Sequence, residues 1–196
     1  MSFRFLETGP LIDKELELVA PQERWVDALM RACEHPLSAG DPNAQATSRA
    51  RVTEFLQRAP LGHQPADPQR GWVPCYFFWM HLHSNPQPPP IEIAGGISLR
   101  VGHNTELEMY GGHIGYGVYP PARGHHYAER ACRLLLPLAR HHDMRRLWIT
   151  CNPDNVPSRR TCERLGCKLV EIVPVPPTHP LYQRGDREKC RYYIDV

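Results

Sequence analysis

Two short segments hold residues whose types and spacing could do chemistry. The first is Arg123-Gly124-His125-His126-Tyr127-Ala128, which stands between a strand-like stretch stopped by Pro120-Pro121 and an amphipathic helical pattern. The first turn of a helix leaves about four backbone N–H groups without partners, and its dipole favours negative charge. Gly124 and Ala128 are small enough to let an anion as large as a diphosphate approach the backbone, and Arg123 adds a charge-assisted contact. The second segment runs from Asn155-x-x-Ser158 to Leu165-Gly166-Cys167 and follows the next strand. Asn155 suits a helix N-cap there, and Arg159 and Arg160 put two cations in the first turns. Three histidine pairs, His81-x-His83, His125-His126 and His141-His142, invite a metal reading. Adjacent residues on a helix point apart and no Cys lies at ligand spacing to the others, so no metal is expected.

The elements that must position these segments follow from apolar periodicity. Residues 15–20 read as a strand, after which Pro21 opens a helix with Trp25, Leu29 and Met30 at helical spacing. Val52, Phe55 and Leu56 mark a second helix over about 47–58, and the Pro- and Gly-rich residues 60–71 form a loop. Aromatic density over 72–83 favours a strand, and the proline-rich residues 85–90 form a stiff connector to a strand over 91–101. Gly95-Gly96 in that strand marks a bulge or a close backbone approach. Residues 113–119 form a third strand, and three strands without intervening helices suggest an antiparallel meander. The period then switches: Ala131, Leu134, Leu135 and Leu138 make one apolar face of a helix over 127–142, with Pro137 expected to kink it. A buried strand over 147–151, a helix over 155–165 stopped by Gly166, and closing strands over 168–175 and 191–196 complete the chain, the last two separated by a loop over 176–186.

With 196 residues the chain suits one domain, and its 23 Lys+Arg against 21 Asp+Glu advertise neither a nucleic-acid nor a membrane surface. Only Lys14, Lys168 and Lys189 are lysines, so the cations are almost all arginine, whose planar fork suits fixed phosphates. Seven cysteines without a CxxC pair fit reduced thiols, and the lack of an apolar leader or spanning run points to a soluble cytoplasmic protein.

Taken together, the two segments resemble the GNAT superfamily of N-acetyltransferases. In that family a strand runs into an Arg/Gln-x-x-Gly-x-Gly/Ala turn that binds the CoA pyrophosphate, and a second strand leads into Asn-x-x-Ser/Ala and a helix ending in a Leu-Gly-Phe-like sequence. The likeness covers roughly residues 91–175. It implies a mixed α+β single domain over 1–196, with a central, mostly antiparallel sheet of about six to seven strands flanked by about four helices. It further implies acetyl-CoA as donor, with the acetyl and pantetheine arm along Val118 and Tyr119 and the pyrophosphate on the amides of His125, His126, Tyr127 and Ala128 beside Arg123 and Gly124. Asn155 and Ser158 then face the pantetheine region.

Two departures bear on chemistry. His126 stands where the family usually has Gly, and Cys162 stands where many members carry the Tyr that protonates the departing thiolate. A thiol can in principle donate that proton, since its ordinary pKa is close to that of the leaving group. Glu108 and His113 are the candidates to receive the proton of the attacking amine. Strand alternation puts His113, Gly115 and Gly117 on one face and Ile114, Tyr116 and Val118 on the other. The implied reaction is direct attack of a primary amine in a ternary complex. The alternative is a non-catalytic CoA-binding or regulatory module of the same fold. The expected partner is a small-molecule or peptide amine acceptor, with a homodimer allowed.

Overall fold

The computed structural model describes residues 3–84 and 90–196; residues 85–89, most of the expected connector, lie outside the described residues. Its strands divide into two sheets. The larger holds β1 (Ile12–Asp13), β2 (Leu16–Val19), β3 (His63–Gln64), β4 (Cys75–Leu82), β5 (Ile93–Arg100) and β6 (Ile114–Val118). Its order is β1-β2-β4-β5-β6, with β3 also on β4, and every pairing is antiparallel. The smaller contains β7 (Arg146–Cys151), β8 (Lys168–Pro174) and β9 (Glu188–Asp195) in the order β7-β9-β8.

Helix α1 (Val26–Glu34) follows a short 3-10 turn rather than starting at Pro21. A short helix, α2 (Pro42–Ala46), precedes α3 (Arg49–Arg58); Asp41 caps it by accepting from the N–H groups of Asn43 and Ala44. The apolar face read from Ala131, Leu135 and Leu138 belongs to α4 (Tyr127–His141), which continues through Pro137 for 15 residues. Asn155 caps α5 (Val156–Leu165), and Gly166 ends it in the left-handed conformation at φ 88°. A one-turn helix, α6 (Pro180–Gln183), and a π-helical turn at Leu107–Gly111 lie in stretches whose polar sequence carries no periodic signal. Among the described residues, no helix is long and apolar enough to cross a membrane.

The larger sheet is covered on both faces. Tyr76, Phe78 and Met80 of β4 pack with Ala131, Leu135 and Leu138 of α4, whereas Trp79 and Ile93 pack with Val26, Leu29 and Met30 of α1 and Val52 of α3. That double burial explains why β4 reads as an unbroken aromatic run rather than an alternating one. Gly95 provides the close approach expected of it: a Cβ there would lie 2.0 Å from the Gly117 carbonyl oxygen.

The two sheets touch at one end of the β6–β7 gap through His113, which is fully buried. Its backbone N–H donates to the Trp148 carbonyl at 2.6 Å, and its Nδ1 accepts from the Trp148 N–H at 2.8 Å. With Nδ1 accepting, Nε2 carries the proton and donates to the Gly102 carbonyl at 2.9 Å. Burial depresses the imidazole pKa to about 4, despite the opposing hydrogen bond to Gly102. Because the folded value lies below the ordinary one, the ring's contribution is complete above about pH 6.5 and is lost as pH falls toward 4, by about 3 kcal/mol in all. Replacing His113 with Leu strands the Trp148 N–H and the Gly102 carbonyl, so H113L should lose about 2–4 kcal/mol in urea unfolding at pH 7.5. Its stability should also fall less than that of the wild type between pH 6.5 and 4.5. Equal stability of the two proteins at pH 7.5 would refute the clamp.

Candidate active site

Past His113 no ladder joins β6 to β7, and two cavities occupy the gap. Which backbone groups face them follows from the β5 ladder. The Tyr119 N–H donates to the Ala94 carbonyl at 2.8 Å, so Tyr119 and Gly117 turn their polar groups toward β5. Alternation then directs those of Tyr116 and Val118 away from β5, into the gap.

The larger cavity, about 580 Å³, is lined by the sequence-marked Val118, Arg123, Gly124, His126, Tyr127, Ala128, Asn155 and Ser158. Its floor is the N-terminus of α4, whose first-turn N–H groups have no side-chain cap. His126, the N-cap, sits in the left-handed region at φ 59°, so the turn keeps the backbone shape that glycine adopts easily. Its Nδ1 accepts from the Arg164 guanidinium at 2.9 Å. Arg123 braces the turn: its Nε donates to the Val118 carbonyl at 3.0 Å, and its guanidinium pairs with Asp41 at 2.5 Å. Pro157, Arg160, Thr161 and Arg164 present one face of α5 to the same space. Among the described residues, three arginines and no carboxylate line the cavity, which suits a phosphorylated ligand.

The smaller cavity, about 260 Å³, lies against Arg100, Gly111, Thr150, Asn152 and Lys189. Tyr116, Asn155 and Ser158 line both cavities, so the two meet at these side chains. The Tyr116 hydroxyl lies 3.0 Å from Ser158 Oγ and 3.9 Å from Cys162 Sγ. Burial raises its pKa above the ordinary phenol value, so the group keeps its proton. At Cys162, contact with Cys151 lowers the thiol pKa, but Cys167 and burial outweigh it and push the value up to about 12.

The other sequence-marked residues sit elsewhere. Tyr119 turns toward α1 and α2, with its hydroxyl 3.5 Å from Thr47 Oγ1, and its backbone N–H is used by β5. His125 stacks on Tyr127 outside the cavity, with ring centroids 5.5 Å apart. Glu108 faces His103 at 3.4 Å and lines neither cavity, while His113 has both nitrogens committed to backbone groups. Arg159 turns to the Tyr192 hydroxyl and the Pro153 carbonyl. His81 and His83 do meet, with Glu17, the three ligand atoms lying within 4.8 Å of one another, but away from both cavities. Sequence reasoning missed Tyr116, Arg164 and Arg100. For Arg164 the signal was present, since it stands four residues after Arg160 and seven after Pro157 on one helical face.

Comparison with solved structures finds the same fold in acetyltransferases. RimL, a ribosomal-protein α-N-acetyltransferase in complex with coenzyme A, shares 21% identity at TM-score 0.65, over 96% of this chain and 98% of its own. An acetyltransferase from Salmonella typhimurium that modifies the N-terminal serine of a 50S ribosomal subunit protein shares 22% at TM-score 0.62, over 95% and 98%. The microcin C7 self-immunity acetyltransferase MccE, in complex with acetyl-CoA and AMP, shares 17% at TM-score 0.66, over 94% of each chain. No curated protein sequence matches significantly. The profile of the GNAT acetyltransferase domain matches residues 15–168, and on that match the chain belongs to the GNAT acetyltransferase family.

Proposed function

We propose that this protein moves the acetyl group of acetyl-CoA directly to a primary amine, with the donor in the larger cavity and the acceptor entering through the smaller. The observation that carries this reading is the junction at Tyr116 and Ser158, where an arginine-lined space for phosphates meets a second entrance. The α4 amides from His126 to Ala128, with Arg160 and Arg164, hold the diphosphate, while Asn155 contacts the pantetheine arm. The N–H of Val118 faces the thioester and polarises its carbonyl. Amine attack forms the C–N bond as the C–S bond breaks. One proton must then travel from nitrogen to sulfur, and the Tyr116 hydroxyl, with Ser158 beside it, passes it across. The loss of the helix tyrosine, which motivated a non-catalytic reading, is thereby offset: a phenol reaches the neighbourhood of Cys162 from β6 instead.

The acceptor must be neutral to attack. Among the described residues, no carboxylate lines the smaller cavity, and no imidazole does. An α-amine, with an ordinary pKa near 8, reaches its neutral form without help far more readily than a lysine amine near 10.4. The reading therefore favours α-amines. Replacing Tyr116 with Phe should lower kcat by roughly a hundredfold in a thiol-release assay while leaving acetyl-CoA affinity within about threefold. For the wild type, kcat/KM should rise with pH to a plateau set by the amine and show no descending limb below about pH 10, because burial raises the Tyr116 pKa. A Y116F variant with unaltered kcat would sink the proton route. Loss of Arg160 and Arg164 together should weaken acetyl-CoA binding by roughly ten- to a hundredfold in titration calorimetry and leave acetylpantetheine, which lacks the diphosphate, untouched. Equal weakening of both donors would contradict the phosphate assignment.

A further inference from the structure

The smaller cavity carries an uncompensated positive charge. Lys189 donates to Asp186 at 2.9 Å and to Asn152 at 2.6 Å, so its charge is matched. Arg191, just behind, pairs with Glu171. Arg100 differs: its Nη1 donates to the carbonyls of Gly111 and Gly112 at 3.2 and 3.0 Å, and no carboxylate pairs with it among the described residues. Its guanidinium lies along β6 at Gly115, where an added Cβ would sit 3.4 and 3.5 Å from the two terminal nitrogens. Gly115 adjoins Tyr116, and although alternation turns their side-chain positions to opposite faces of β6, Arg100 and Tyr116 both line the smaller cavity. A half-buried cation without a counter-ion is costly to keep, and a planar fork with donors to spare is suited to two oxygens of one carboxylate.

We propose that Arg100 is the specificity determinant for the acceptor: it binds a carboxylate that the substrate carries a few bonds from its amine. This rests on the transfer reading above and adds to it the acceptor's charge. A cavity of 260 Å³ falls just below the roughly 300–1,000 Å³ of pockets that take drug-sized ligands, so it fits one amino-acid-sized group. That group is either a free amino acid or the acidic first residue of a peptide. In both, the anion docks on Arg100 while the neutral amine points at Tyr116.

Matched pairs separate these cases. kcat/KM, expressed per neutral amine, is measured at saturating acetyl-CoA for free amino acids against their carboxamides, and for C-terminally amidated tripeptides beginning with Asp or Glu against those beginning with Asn or Gln. The wild type should prefer the carboxylate member of at least one pair by roughly ten- to a hundredfold, chiefly through KM, and the pair concerned tells which source is meant. In R100Q the ratio within that pair should fall to about one. In R100K, which keeps the charge but loses the fork, it should lie between. A ratio within one preparation does not depend on the fraction folded. Ratios near one in every wild-type pair, or a preference that survives in R100Q, overturn the proposal. If no amine is turned over, the transfer reading fails separately, and the charge is judged by calorimetry on the CoA-bound protein. Carboxylate amines that bind wild type and not R100Q uphold it, and absence of binding to wild type overturns it.

Discussion

β6 and β7 are fastened at one end by the His113 ring and backbone and are unpaired at the other. Continuous pairing would have used the polar groups of Tyr116 and Val118 in a ladder and left no space between the sheets. Because the fastening is a neutral, buried imidazole with both nitrogens occupied, it sets the position of the smaller sheet without adding a charge at the base of the cleft. Gly95 adds a complementary constraint: its lack of a Cβ leaves room for the Gly117 carbonyl on the β5 side of the strand that faces the gap.

The rest of the site hangs on that opening. The chain leaving β6 must turn at Arg123 to Ala128 and start α4 beneath the gap, so the helix's unpaired N–H groups face the space that the strands vacate. His126 occupies a left-handed conformation there at a cost of about 1–2 kcal/mol for a residue with a Cβ. The bond from Arg164 and the Arg123–Asp41 pair help to hold the turn in that shape. Across the gap, Tyr116 reaches α5 through Ser158, linking the two walls at the point where the cavities join. Electrostatics then sorts the ends: Arg160 and Arg164 on one side and Arg100 on the other, none paired with a carboxylate among the described residues, fit a phosphorylated donor and an anionic acceptor.

Local signals were legible in the chain. Asn155 as a cap, Gly166 as a stop, the period change after Pro121 and the small residues of the turn each depend on neighbours within a few positions. The family resemblance carried by those motifs agrees with the domain match. Features made by distant residues were not legible. Arg123 meets Asp41 from 82 positions away, so its guanidinium is engaged in bracing the turn. His113 looked available as a base until Gly102 and Trp148 claimed its nitrogens. Tyr116 looked like one face of a strand, and only the crossing of β6 with α5 sets its hydroxyl beside Ser158 and Cys162. The division of the strands into two sheets likewise follows from register at His113, which no periodicity encodes.

The proposed placement of acetyl-CoA puts it in the gap beside His113, over the N-terminus of α4 and between β6 and α5. Amide hydrogen exchange with and without CoA tests it most directly. Exchange should slow at residues 116–130 and 155–165 on binding and stay unchanged in β1 and β3. Binding of CoA without protection in either segment would contradict it.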